Sequence, residues 1–149
     1  MLYFTAVIVA LGIIWLVLKA VNVRAASRRL EKGMELEERG DYKSACFEYA
    51  LAIAGGCRAQ TRCAERIRAI WIKYGPFDYE DRKKGIEKER EEVSSDTTRD
   101  RYGCEAGGLS IALADYLDAT EVINQVVAGK TDIKVQRRRV IGSGTVVRY

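Results

Sequence analysis

Residues Gly33–Cys57 read GMELEERGDYKSACFEYALAIAGGC, and this stretch decides the fold. Gly40-Asp41-Tyr42 separates two helix-forming runs. Helix A is expected to run up to Arg39, and helix B from about Tyr42 to Ala54. Gly40 suits a left-handed C-cap, where a Cβ would clash. Asp41 can then cap helix B, its carboxylate accepting backbone N–H groups that the helix start leaves orphaned. Gly33, Ala45 and Ala52 are small enough to let the two helices approach closely, and Tyr49 and Ile53 supply bulk beside them.

Gly33, Leu36, Gly40, Asp41, Tyr42, Ala45, Tyr49, Ala52 and Ile53 together resemble one tetratricopeptide repeat. They fall at the spacing of that family over about 34 residues. Arg29 and Lys32 depart from the pattern, standing where the family prefers an aromatic and a Leu. Cys57 stands where it usually has Pro. The resemblance covers under a quarter of the chain, with no second clear copy. It implies a helical protein-interaction fold without identifying a partner. A single repeat cannot bury its own apolar face, so neighbouring helices must cover it.

Those neighbours lie downstream. Gly55-Gly56 ends helix B, and a third helix is expected from about Arg58 to Lys73. Cys63 or Ala64, Ile67, Ile70, Trp71 and Tyr74 share one face at helical spacing. Trp71 reads as a residue of the core or of the interaction module. Gly75-Pro76 closes the helix. Tyr79–Val93 is almost wholly charged, with Tyr79, Ile86 and Val93 seven apart, and reads as a solvated helix supported by i, i+4 ion pairs. Residues 94–108 are polar and then glycine-rich, a loop by composition. Leu109, Leu113, Tyr116, Leu117, Thr120, Ile123 and Val127 mark an amphipathic helix, with Asp115, Asp118 and Glu121 on its wet side. The tail, residues 129–149, changes to a period of two. Val140-Ile141 and Val146-Val147 flank Gly142-Ser143-Gly144, as in a short β-hairpin, and Arg137-Arg138-Arg139 adds positive charge. Two isolated strands are marginal in water, so the hairpin needs a third surface.

The amino terminus carries the other strong pattern. MLYFTAVIVALGIIWLVL, residues 1–18, holds no charge and would span about 27 Å as a helix. Tyr3, Phe4 and Trp15 lie near its ends, and Lys19, Arg24, Arg28 and Arg29 follow it. On these grounds a single-pass transmembrane anchor is expected over residues 1–23. The basic cluster would place the amino terminus outside and the remaining domain in the cytoplasm of a bacterial inner membrane. Lys19, Arg24, Arg28 and Arg29 would then face lipid headgroups. The absence of Pro and Gly from 20–30 predicts one helix running from the apolar stretch into helix A.

Composition narrows the chemistry. The chain has 149 residues, a net charge of +4, one proline and no histidine. Without histidine, Ser-His-Asp and Cys-His catalysis in cis and His-ligated zinc or haem are excluded. The carboxylates are scattered among basic residues, and no pair is set apart for acid/base work. Neither a catalytic, a cofactor-binding nor a metal-ligating set is therefore assigned. Four cysteines, Cys46, Cys57, Cys63 and Cys104, form no C-x-x-C. Cys46 reads as a small buried hydrophobe. A reducing compartment would keep the thiols free, and an oxidising one would permit a Cys57–Cys63 or Cys63–Cys104 bridge. Nucleic-acid binding is disfavoured, because no recognised module accompanies the basic residues.

The sequence thus describes a mostly α protein: an anchor at 1–23, a tetratricopeptide-like helical domain at 24–93 with a charged fourth helix, a loop at 94–108, an amphipathic helix at 109–128 and a hairpin or extended basic tail at 129–149. The expected function is that of a non-enzymatic accessory or assembly subunit of a membrane complex. It would touch integral membrane subunits through the first helix and a soluble or peripheral protein through the helical domain and tail. Two alternatives stand beside it. One is a self-assembling scaffold or pilin-like subunit, although Thr5 stands where the pilin pattern has Glu. The other is a cofactor-contacting subunit of a redox or photosynthetic complex.

Overall fold

The computed structural model describes residues 2–95, 103–133, 135, 138–141 and 145–148. Among the described residues five helices and two short strands follow one another: α1 Leu2–Glu38, α2 Tyr42–Ala54, α3 Gln60–Tyr74, α4 Glu80–Ser95, α5 Gly103–Val127, β1 Arg138–Ile141 and β2 Thr145–Arg148.

α2 is the axle of the fold. Nine consecutive residues, Ala45 to Ile53, are buried, because α1, α3 and α5 all pack against it. A helix surrounded on every side needs small residues where backbones come close, and Ala45, Ala50 and Ala52 are fully buried. Its start is fixed by Asp41, whose Oδ1 accepts from the Ser44 N–H at 3.1 Å. That removes one of the unpaired donors of the first turn.

Three helices end in the same way. In α1 the N–H of Asp41 donates to Leu36 O (2.9 Å) and that of Gly40 to Glu37 O (3.0 Å). In α2 Cys57 donates to Ala52 O and Gly56 to Ile53 O, and in α5 Lys130 donates to Gln125 O and Gly129 to Val126 O. This paired closure requires a left-handed residue, and Gly40, Gly56 and Gly129 have φ of +81°, +76° and +79°.

The remaining helices contribute one face each. α3 buries Cys63, Ala64, Ile67 and Ile70. Arg68 ties it to the end of α5, donating to Val126 O (3.1 Å), which also accepts from the Gly129 N–H, and to Lys130 O (2.9 Å). α5 buries Ala114, Tyr116, Ala119, Val122, Ile123 and Val126. Its inner face is rotated from the expected one: Asp118 is only 8% exposed, whereas Val127 is 42% exposed. α5 also begins at Gly103, inside the glycine-rich stretch expected as loop. The charged helix is seated more firmly than its composition suggests. Tyr79 is buried beside Phe47, its hydroxyl donating to Lys43 O at 3.0 Å, and Ile86 packs on the core.

Two expectations are corrected. Among the described residues no helix is long and apolar enough to cross a membrane, which overturns the transmembrane anchor, the single-pass topology and the inner-membrane localisation. The charge-free run ends at Lys19, and from there α1 carries charged side chains as far as Glu38. α1 does continue without a break into helix A, and Val7 to Val17 lie on it with their large apolar side chains 55–60% exposed. The second correction concerns the tail. A complete hairpin is not seen, because the expected turn 142–144 and Arg137 lie outside the described residues. What is described is β1 paired antiparallel with β2, Arg138 opposite Arg148 and Ile141 opposite Thr145. This ribbon lies against α5, so this chain itself supplies a third surface.

Candidate functional site

The C-terminal half of α1 and the length of α3 lie side by side over α2, and an open groove of about 450 Å³ runs between them. One wall comes from α1 through Leu30, Met34, Glu37 and Glu38. The other comes from α3 through Arg62, Arg66, Ala69, Ile70 and Lys73. Each set recurs at three or four residues, which places it on one stripe of its helix. Tyr49 of α2 forms part of the lining, and Tyr42 and Tyr74 close one end.

The floor is held by a hydrogen-bond network. Tyr49, itself fully buried, donates through its hydroxyl to Glu37 Oε2 at 2.8 Å. Arg66 clasps the same carboxylate with Nε to Oε2 (3.1 Å) and Nη2 to Oε1 (2.6 Å). Two-point guanidinium–carboxylate contact fixes both side chains in one geometry. Burial, reinforced by the Glu37 hydrogen bond, pushes the Tyr49 phenol well above its ordinary range, so it stays a donor at any physiological pH. At the end of the groove Tyr42 and Tyr74 stack at 3.8 Å with planes 7° apart, and the Lys73 ammonium lies 5.0 Å from the Tyr74 ring centroid. The hydrogen bond with Tyr42 and the nearby Lys73 pull the Tyr74 phenol downward. Met34 and Tyr74 are 39% and 41% exposed, leaving apolar surface open between cationic side chains.

Of the residues expected to carry the repeat, Tyr42 and Tyr49 line the groove. Gly33 faces the Tyr49 ring from behind, and Ala45, Ala52 and Ile53 are buried in the axle helix. Leu36 packs against the core, and Gly40 and Asp41 make the turn. Trp71 is not brought to this groove. It packs edge-on against Phe77 at 5.5 Å and borders a separate hollow with Tyr79, Tyr116 and Leu117. The groove residues missed from sequence, Met34, Glu37, Arg62, Arg66 and Lys73, were signalled by their matching stripes. What could not be read was that α1 and α3 would flank one another.

The basic cluster assigned to lipid headgroups is divided. Arg24 and Arg28 are exposed, while the side chain of Lys19 lies outside the described residues. Arg29 turns inward: its guanidinium binds Glu48 Oε2 at 3.0 Å and Asp115 Oδ2 at 3.4 Å. Lys32 binds the other Glu48 oxygen at 2.6 Å. The two departures from the repeat pattern in helix A are therefore answered by one acidic residue, 3% exposed, in helix B. Among the described residues no cluster of His, Cys, Asp and Glu could hold a metal ion.

No family model, curated protein or solved structure matches the chain.

Proposed function

We propose that this protein is a non-enzymatic accessory or assembly subunit that docks a segment of a partner protein in the groove between α1 and α3. The observation that carries the reading is the lining itself. Exposed apolar surface at Met34 and Tyr74 lies beside Arg62, Arg66 and Lys73, over a floor fixed by Tyr49 and Glu37. Rigid aromatic and guanidinium groups around a partly apolar trough are what peptide recognition uses, because little entropy is lost when they are engaged. Three cations against Glu37 and Glu38 favour a segment that brings apolar side chains with carboxylates beside them. The resemblance to a tetratricopeptide repeat supports the same reading.

The test is copurification of the full chain from its native source, compared with Arg62→Glu/Lys73→Glu. Both side chains are at the groove and away from the buried core, so the double variant should keep its helical circular dichroism. Loss of a stoichiometric partner from the folded variant supports the reading. Retention of every partner by the folded variant, or a wild-type chain that runs alone, overturns it.

A second reading, self-assembly, rests on one observation. The large apolar side chains from Val7 to Val17 are more than half exposed around α1, and a helix that is apolar on every side is one that becomes buried. Packing of these segments from several copies would bury them. Light scattering on the full chain distinguishes the two, since self-assembly requires a defined homo-oligomer without a second protein.

A further inference from the structure

Cys57 and Cys63 meet at the junction of α2 and α3, with their Sγ atoms 3.8 Å apart. Both are free and buried: Cys57 is 4% exposed and Cys63 fully buried. Their surroundings differ. Cys57 follows the Gly55-Gly56 turn, one residue before the exposed Arg58, while Cys63 sits in the first turn of α3 with its N–H donating to Ala59 O. Closing 3.8 Å to a bond of about 2.05 Å asks each sulfur to move by roughly 0.9 Å, within reach of a side-chain adjustment. Cys46, the third described thiol, is enclosed within α2.

We propose that Cys57 and Cys63 form a reversible disulfide-forming site, oxidised by a low-molecular-weight disulfide such as glutathione disulfide. The two thiols have unequal roles. Burial pushes the Cys63 thiol up to about 12, with the adjacent Cys57 adding to this and Arg62 opposing it. Cys63 is fully enclosed, whereas Cys57 keeps a little exposure beside the exposed Arg58, so Cys57 is reached first. Its thiolate attacks one sulfur of the small disulfide, forming a mixed disulfide and releasing one thiolate. Cys63 then gives up its proton to solvent and attacks Cys57 Sγ, expelling the second thiolate. Overall two cysteine thiols and one small disulfide become one protein disulfide and two small thiols. Two electrons pass to the small disulfide. The bond would join the end of α2 to the start of α3, the helix that carries Arg62 and Arg66 of the groove.

The experiment uses the full reduced chain treated with glutathione disulfide, quenched in acid, denatured and counted for thiols. The count should fall from four to two with no glutathione retained, and return to four with dithiothreitol. Trypsin cuts at Arg58 and Arg62, between the two cysteines, so the bridge should join the peptide ending at Arg58 to the one beginning at Cys63. Cys46→Ala should leave this linkage intact and Cys57→Ala should abolish it. Cys63→Ala should arrest the reaction with one glutathione on Cys57. Four thiols surviving in the wild type overturn the proposal, as do a bridge to Cys46 or Cys104, a link between chains, or glutathione retained on wild-type Cys57.

Discussion

Gly33 lies so close to Tyr49 that a Cβ at position 33 would stand 2.7 Å from Cε1 and 2.8 Å from Cδ1 of the ring. This contact sets the distance between α1 and α2. Tyr49 cannot retreat, because it is fully buried and its hydroxyl is held by Glu37. Gly33→Ala should therefore destabilise the fold by about 1–3 kcal/mol from overpacking, more than the ~1 kcal/mol that alanine gains in helix propensity. Gly85→Ala is the control: nothing lies within 4 Å of a Cβ there, so it should stabilise by about 0.5–1 kcal/mol. Urea unfolding of the two variants should give shifts of opposite sign.

Glu48 provides a second test. Its carboxylate is buried and satisfied by Arg29 and Lys32, whose side chains are 40% and 55% exposed. Removing both cations, as in Arg29→Met/Lys32→Met, strands a buried charge and should cost about 3–5 kcal/mol. Glu48→Gln leaves two cations that can turn to water, and should cost clearly less. Equal losses in denaturant melts would contradict the clasp as described.

Asp115 gives a pH dependence. Burial raises its carboxyl above the ordinary 3.8, with Arg29 opposing and Glu48 reinforcing the shift. The folded state thus holds this proton more tightly than the unfolded chain does. Its contribution to stability is fully present below the unfolded value and is lost as pH rises through the folded one. Asp115→Asn should flatten the fall in stability from about pH 4 upward. An unchanged profile in stability measured against pH would show that Asp115 does not carry it.

The turn between α1 and α2 is a fourth target. Gly40 has φ of +81° and Asp41 caps α2. Gly40→Ala and Asp41→Ala should each cost about 1 kcal/mol, the first from left-handed strain and the second from a lost cap. Thermal melts would show both as lowered midpoints with the helical spectrum retained.

The helix ends were legible because each is decided by a local rule. Gly40, Gly56 and Gly129 sit where only a left-handed residue closes the helix, and Asp41 has one donor to reach. Ala45, Ala52 and Tyr49 were legible as packing residues because helix B is short and its small residues recur. The ionic clasp was not legible: Arg29 and Lys32 find Glu48 from 19 and 16 residues away, a tertiary match that no period reveals. Asp118 misled because charge suggested a wet face, while the closeness of α5 to α2 required Ala119 and Val122 inside. The apolar start of α1 misled in the other direction. Its lack of charge was visible, but among the described residues no helix is long and apolar enough to cross a membrane. The groove itself belongs to neither helix alone. It arises because α2 seats α1 and α3 beside one another.

The most direct test of partner docking is site-specific photocrosslinking in the native cellular setting. A benzophenone amino acid at Met34 sits in the groove, and one at Lys88, 78% exposed on α4, serves as control. One discrete partner adduct is expected from position 34, absent from position 88 and lost with Arg62→Glu/Lys73→Glu. Adducts equal at both positions, or none from position 34, would contradict partner docking.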